Sequence, residues 1–255
     1  MNADYRFPIL KNRFPSVFKM FLLILFLASC SDDNCDCLNG NGVVVTENRV
    51  SGNFNTLNIK GDVDVILVPS DSTFLKVETG INLMDNIKTY ITDSILYIKN
   101  ETSCNWLRSF DNKVKIFVAI KNLSHITFRS NGKLSCADTL RMPVLKINVW
   151  DGSGSIALKM NNYANYVAMH IGAVDITLSG KSSQLYLYNA CYGPFFGSSL
   201  ETNYGYLTNR GFNDCYVNCS GELDVRVENV GNVYYSGNPQ PVKYVRTGKG
   251  KLVKQ

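Results

Sequence analysis

The chain has 255 residues, of which 45% are apolar and 18% charged, so it can bury a sizeable core and is not a wholly disordered protein. Its 19 glycines, 14 tyrosines and 13 phenylalanines favour pleated sheets and tight turns over long helices. The formal net charge is +5, but four of the 26 basic residues and one of the 21 acidic residues precede Cys30. The rest of the chain has 22 bases and 20 acids, a net charge of +2. So small a charge argues against a nucleic-acid partner.

The first segment, residues 1–29, is predicted to be a signal peptide. Basic residues precede the apolar run 20–27, which leads through two small residues to Cys30. The run is much shorter than the roughly 20 residues of a transmembrane helix, so we expect export rather than a membrane span. Leu27-Ala28-Ser29-Cys30 resembles the lipobox of bacterial lipoproteins. This resemblance implies that Cys30 carries several acyl chains, which together hold a protein on a membrane.

Residues 30–42 are predicted to be a tether behind the lipid. Cys30-Ser31-Asp32-Asp33 resembles the acidic tag that sends lipoproteins of the Bacteroidetes group to the cell surface. The resemblance implies an outer-membrane protein, lipid-anchored and exposed on the cell surface, with the periplasmic face as the alternative. The same acidic residues also suit a simple solvated linker.

The seven remaining cysteines form no dense disulfide framework. The motif Cys35-x-Cys37 lacks the two-residue spacer that is usual in redox pairs and metal sites, so neither is predicted there. Buried, unreactive thiols are the favoured interpretation, and the disulfide status of the group stays open. These residues are Cys35, Cys37, Cys104, Cys136, Cys191, Cys215 and Cys219.

From about residue 120 onward the sequence repeats. Each unit has two short runs of alternating apolar residues around a glycine turn, such as 147–150 and 156–158 around Gly152. A unit of this size cannot bury its apolar row alone, so the period predicts a β-solenoid with about 20 residues per coil. The turn glycines recur 17 to 21 residues apart, at Gly132, Gly152, Gly172, Gly193, Gly211, Gly231 and Gly248.

Alternation along the strands predicts which side chains point into the solenoid. The inward set is Ile147, Val149, Val167, Met169, Ile171, Leu185, Leu187, Val225 and Val227. The outward set is Asn148, Trp150, His170, Tyr186, Tyr188 and Arg226. Strand-like runs with a looser period occupy 43–118, and no linker follows them. We therefore predict one all-β domain over residues 43–255.

Several glycine motifs carry a resemblance to a known family. Gly40-Asn41-Gly42, Gly152-Ser153-Gly154, Leu178-Ser179-Gly180 and the closing segment 231–239 resemble the head GIN domain family of auto-transporter adhesins, over about residues 42–240. The resemblance implies a single-domain right-handed parallel β-helix, usually behind a lipoprotein signal. It implies no catalytic residue and no cofactor, because the motifs are structural repeats. The chain departs from the family by an aromatic insertion at 192–196.

A polysaccharide-active enzyme, either a lyase or a hydrolase, is the alternative function for such a fold. It would need carboxylates or a Ca²⁺ cluster stacked on one face. Asp175 and Asp214 recur two coils apart, about 10 Å, whereas inverting glycosidases place their carboxyl groups about 6.5–9.5 Å apart. His125 and His170 have no partner at the spacing of a metal site or a nucleophile. We therefore predict no catalytic residue, no metal site and no cofactor.

The candidate ligand-binding residues are aromatic. Trp150 and His170 lie one coil apart in the same outward phase, and Tyr186 and Tyr188 follow on the next coil. A ladder of flat rings offers apolar contact to sugars or to a partner protein, although stacking that only stabilises the sheet is the alternative. The expected partners are the membrane, through the lipid, and a glycan or a cell-envelope protein. The expected role is adhesion, binding or envelope structure.

Overall fold

The computed structural model describes residues 40–102 and 114–255. The predictions for the signal peptide, for Cys30, Cys35 and Cys37, and for Cys104 lie outside the described residues. Strand accounts for 64% of the structure and helix for 3%. The all-β solenoid predicted from the sequence is confirmed, with about 6 turns spaced about 20 residues apart.

The first part of the domain consists of short strands. They are β1 (Val44–Arg49), β2 (Thr56–Gly61), β3 (Asp64–Pro69), β4 (Leu75–Gly80), β5 (Ile87–Thr92), β6 (Ile95–Asn100), β7 (Lys115–Ile120), β8 (His125–Ser130), β9 (Lys133–Cys136) and β10 (Val144–Trp150). A 3-10 helix, Ile81–Asn86, joins β4 to β5.

The second part contains four long strands followed by three short ones. They are β11 (Ser155–Ile171), β12 (Asp175–Asn189), β13 (Phe195–Asn209), β14 (Cys215–Val227), β15 (Val233–Ser236), β16 (Val242–Arg246) and β17 (Leu252–Lys254). Each long strand supplies one segment to each of the two strand rows described next.

The strands stack into two rows. The first row runs β5, β6, β2, β8 and β10, then the C-terminal segments of β11 to β14, and then β16. The second row runs β1, β4, β7, β3 and β9, then the N-terminal segments of β11 to β14, and then β15 and β17. Most neighbours are parallel, but β5 with β6, and β4 with both β1 and β7, pair antiparallel. Antiparallel strands therefore form the first end of each row, and the parallel coils of the solenoid follow them.

The core lies between the two rows. Val167 pairs in register with Ile147 on one side and with Leu187 on the other, and Leu207 and Val225 continue the same column. All five side chains are at most 3% exposed. Burial of such columns is the main favourable term for folding, at about 25 cal/mol per Å² of apolar surface.

One inward assignment is wrong. Ile171 is 60% exposed, whereas the other eight predicted inward residues are buried. The pairing of β10 with β11 shifts register between Val149 and Trp150, so that Trp150 pairs with Ile171. This irregularity breaks the two-residue alternation just before the turn and moves Ile171 out of the inward phase.

The repeated glycines are required where one turn lies directly on the turn of the preceding coil. Gly172 has φ +113°, a left-handed conformation that side chains other than glycine rarely adopt. A Cβ at Gly172 would also collide with the carbonyl oxygen of Gly152, and one at Gly154 with that of Gly132. The 20-residue glycine period therefore follows from close contact between turns.

Candidate functional site

The first strand row carries a ladder of tyrosines on its outer surface. Tyr166, Tyr186 and Tyr206 occupy the same register position on β11, β12 and β13. Their ring centroids are 4.4 Å and 5.0 Å apart, with interplanar angles of 2° and 10°. Parallel strands about 4.8 Å apart bring identical side chains to stacking distance, so the geometry follows directly from the repeat. We call these three residues the tyrosine ladder.

The four predicted site residues do not form a single ladder. Trp150 and His170 stack with centroids 3.8 Å apart and an interplanar angle of 12°. Tyr188 pairs in register with Ala168 and lies tilted at 46° to His170, with centroids 5.8 Å apart. Tyr186 belongs instead to the tyrosine ladder. The structure thus places the four predicted residues on one surface but in different columns.

Two members of the tyrosine ladder were missed by the sequence reasoning. Tyr166 and Tyr206 lie 20 residues before and after Tyr186, so the coil period itself was the signal. The predicted ladder was based on Trp150 and His170, which lie at a different outward position from Tyr166 and Tyr206.

A groove of about 830 Å³ lies over the tyrosine ladder. Tyr188 and Thr208 also line it, and the charged side chains at its borders are Lys146, Asp224 and Arg226. The Lys146 ammonium lies 5.9 Å from the Tyr166 ring centroid, and Asp224 pairs in register with Tyr206. The inner faces of the rings contact one another, so a ligand in the groove would meet ring edges and hydroxyl groups.

Two side chains that line the groove, Tyr186 and Asn148, make hydrogen bonds to side chains outside it. The Tyr186 hydroxyl donates to Gln184 Oε1 at 3.2 Å. Asn148 Nδ2 and His125 Nε2 are 2.7 Å apart, in a hydrogen bond whose direction depends on the imidazole tautomer. These contacts orient side chains near the groove without adding a charge to it.

Burial favours the uncharged forms of His125, His170 and Tyr186. Desolvation lowers the pKa of His170, and desolvation together with the Lys146 charge lowers that of His125. Desolvation and the neighbouring tyrosines raise the pKa of Tyr186. The charged side chains that line the groove are Lys146, Asp224 and Arg226.

Aromatic stacking also occurs elsewhere on the solenoid. On the second row, Tyr216 stacks with Phe196 at 5.6 Å and with Tyr234 at 5.0 Å. Tyr192, in the aromatic insertion at 192–196, stacks with Phe212 of the next turn at 4.7 Å. Ring stacking alone is therefore a general way of stabilising this fold, whereas the tyrosine ladder also has a groove over it.

One of the two carboxylates considered for catalysis has a structural contact. Asp175 and Asp214 lie two strands apart, because Phe195 pairs with Ile176 on one side and with Cys215 on the other. Asp214 Oδ1 accepts a hydrogen bond from the Asn232 backbone N–H at 2.7 Å. Within residues 40–102 and 114–255, no three His, Cys, Asp or Glu side chains are grouped so as to hold a metal ion.

Four cysteines fall within the described residues, and each has a free thiol. Cys191, Cys215 and Cys219 are buried and Cys136 is half-buried. No helix of the described residues is long and apolar enough to cross a bilayer.

Comparison with known proteins places the fold. Residues 53–239 match the family described as "Putative auto-transporter adhesin, head GIN domain". A solved "putative adhesin" from Bacteroides fragilis NCTC 9343 has a TM-score of 0.77 at 20% identity, covering 84% of this chain and 97% of that one. A "Putative lipid binding protein" from Parabacteroides distasonis ATCC 8503 has a TM-score of 0.67 at 18% identity, covering 85% and 98%.

A third solved structure, a "putative adhesin" from Parabacteroides merdae ATCC 43184, has a TM-score of 0.61 at 18% identity and covers 85% of this chain and 98% of that one. At these identities the structural likeness concerns the fold alone. The search of curated proteins gives no match.

Proposed function

The chain belongs to the head GIN domain family of auto-transporter adhesins, and from this premise we propose that it is a lipid-anchored outer-membrane protein that binds a glycan through the groove over the tyrosine ladder. The groove is the observation that carries the proposal. It combines three aligned tyrosines with polar and charged borders. Sugars present both hydroxyl groups and apolar faces, so mixed aromatic and polar surfaces of this kind suit them.

The proposed role is non-catalytic. Asp224 is the one carboxylate among the described residues that line the groove, and Arg226 lines it as well. Glycoside hydrolysis by the usual mechanism requires two carboxyl groups at a defined separation. A single carboxylate beside a guanidinium is better suited to hydrogen-bonding a ligand than to proton transfer.

Binding by an array of uncharged glycans tests this function. The Tyr186→Ala/Tyr188→Ala variant should lose binding, because it removes ring edges and hydroxyl groups from the middle of the groove. Tyr216→Ala is the matched control, since it interrupts an equivalent stack on the second row. Undiminished binding by the double variant, or equal loss in the control, would contradict the assignment. Turnover of a glycan by the purified protein would contradict the non-catalytic role.

A further inference from the structure

Four basic side chains line up across neighbouring strands of the first strand row, outside the groove. Lys88 on β5 pairs with Lys99 on β6, which pairs with Lys60 on β2, which in turn pairs with Arg129 on β8. Directly paired residues in a sheet share one face, so these four side chains form a single outward column. With strands about 4.8 Å apart, the column is about 14 Å long. We call it the basic row.

The basic row is not neutralised by nearby acids. Lys115, Lys181 and Lys243 each form an ion pair with a glutamate on an adjacent strand. Across residues 40–102 and 114–255, no such pair within 4 Å involves any member of the basic row. The row therefore retains its positive charge, and acidic groups of a ligand can pair with it.

The two inner members of the row differ in their surroundings. Lys99 Nζ lies 5.1 Å and 5.8 Å from the ring centroids of Tyr90 and Tyr97, which themselves stack at 4.9 Å. A hydrogen bond with Tyr90 is the main cause that raises the pKa of Lys99, and the Glu101 carboxylate adds to it. Lys60 and Arg129 are both exposed on the outer face. The row is therefore exposed at Lys60 and Arg129, whereas Lys99 is half-buried with two aromatic rings beside it.

An indole ring continues the column at the other end. Val149 pairs with Phe128, so Trp150 follows at the register of Arg129. Trp150 is 37% exposed, and His170 covers one of its faces at 3.8 Å. Among the described residues, no second ring or cation stacks on the opposite face, which is the face on the Arg129 side. Aromatic faces of this kind provide apolar contact to the ring of a sugar.

We propose that the basic row and Trp150 form a binding site for an acidic polysaccharide that runs along the solenoid axis. The cations take its carboxylate or sulfate groups, and the open face of Trp150 takes a sugar ring. None of these residues lines the groove over the tyrosine ladder, so the site is separate from the one proposed for uncharged glycans.

The geometry favours a linear polymer with one charge per sugar. The column is a single residue wide, and the adjacent outward column holds Tyr90, Tyr97, Asn58 and Thr127, all uncharged. Proteins that bind duplex DNA mainly through charge neutralise about 6–10 phosphates, which is more than four aligned cations can provide. A single line of charges at strand spacing is better matched to a flexible anionic glycan.

The test measures binding of the full chain in detergent to polygalacturonate, with uncharged dextran and duplex DNA as comparison ligands. We expect Lys60→Gln/Arg129→Gln to weaken polygalacturonate binding by about tenfold and to flatten its salt dependence, because two charge contacts are lost. The control Lys181→Gln/Arg210→Gln removes the same net charge from two cations that pair with Glu201 and Glu228. It should change affinity less than about twofold.

Two further variants separate this site from the groove. Trp150→Ala should weaken polygalacturonate binding without altering the salt dependence, because it removes an apolar contact and no charge. Tyr186→Ala/Tyr188→Ala should leave polygalacturonate binding unchanged, because it alters only the groove. This result is expected whether or not the groove itself binds a glycan. No binding by the unmodified chain at low salt, equal weakening by both double charge variants, or stronger binding to DNA than to polygalacturonate would each overturn the proposal.

Discussion

Buried asparagines show how single residues hold the turns of the solenoid. Asn189 and Asn209 pair in register and are at most 1% exposed. Asn189 Oδ1 accepts a hydrogen bond from the Cys191 N–H at 3.1 Å, and Asn209 Oδ1 accepts one from the Gly211 N–H at 3.0 Å. Each amide nitrogen also donates to a carbonyl oxygen of the turn, that of Gly193 or Asn213, so each side chain satisfies both a donor and an acceptor of the backbone.

We expect Asn189→Ala to reduce the free energy of unfolding by about 1–3 kcal/mol, because it leaves buried backbone groups of the turn without partners. Thermal unfolding followed by circular dichroism measures the change. Asn161→Ala is the control, since Asn161 is exposed on β11, and it should stay within about 0.5 kcal/mol of the parent. Equal effects of the two variants would show that the buried hydrogen bonds are unimportant.

The buried thiol of Cys215 gives a prediction about pH. Desolvation by burial raises the pKa of Cys215 from its usual value of 9.0 to about 12. Because the folded-state pKa is raised, the stabilisation from the neutral thiol is complete below the unfolded-state pKa and is lost as the pH rises from about 9 toward 12. At pH 8 the folded protein therefore holds almost no thiolate at this position.

Alkylation at pH 8, read out peptide by peptide in a mass spectrometer, tests this. Cys215 should remain unlabelled in the folded protein and become labelled in denaturant, because only the thiolate is nucleophilic. Half-buried Cys136 serves as the internal comparison and should be labelled sooner. Rapid labelling of folded Cys215 would show that this part of the core opens easily.

At the scale of the strand, alternation decides which substitutions the solenoid tolerates. Val149 and Leu187 are 0% and 3% exposed. Val149→Lys and Leu187→Lys should each destabilise the domain by about 3–5 kcal/mol, because each places an unpaired charge in the core. Thr177→Lys, at an exposed position of β12, is the control and should melt close to the parent. If the core variants melt like the parent, the assignment of faces is wrong.

The turns place a steric limit on substitution. Gly193 lies against the preceding coil, and a Cβ there would collide with the carbonyl oxygen of Val174. Gly193→Ala should therefore lower the melting temperature markedly, since backbone must move to admit the methyl group. Gly52→Ala is a suitable control, because its Cβ would meet only the Ile91 Cδ1 atom, at 3.4 Å. Similar melting of both variants would show that the turns are loosely packed.

For the whole molecule, the proposed membrane attachment depends on one residue outside the described ranges. Cys30→Ser should abolish acylation and move the protein from the detergent phase to the aqueous phase, because lipid chains supply the membrane affinity. Digestion of intact cells by an added protease then tests exposure on the cell surface. Unchanged partitioning of the variant would exclude Cys30 as the anchor, and protection of the parent from protease would indicate the periplasmic face.

The period of the chain was sufficient to predict the solenoid and its core. Apolar residues at every second position and glycines about every 20 residues are local requirements, so they are visible in the sequence. Eight of nine inward assignments are buried for this reason. Ile171 departs because the register shift between Val149 and Trp150 is a property of the pairing between two strands.

The sequence by itself therefore determined the coil, its faces and the aromatic character of the outer surface. Only the tertiary structure decided which side chains become neighbours. Tyr186 stacks with Tyr166 and Tyr206 because the three pair in register on β11, β12 and β13. Trp150 and His170 stack separately, next to the register shift between β10 and β11. The basic row exists because β2 lies between β6 and β8, which brings Lys60 beside both Lys99 and Arg129. Strand order is set by how the chain pairs over long distances, and no local pattern records it.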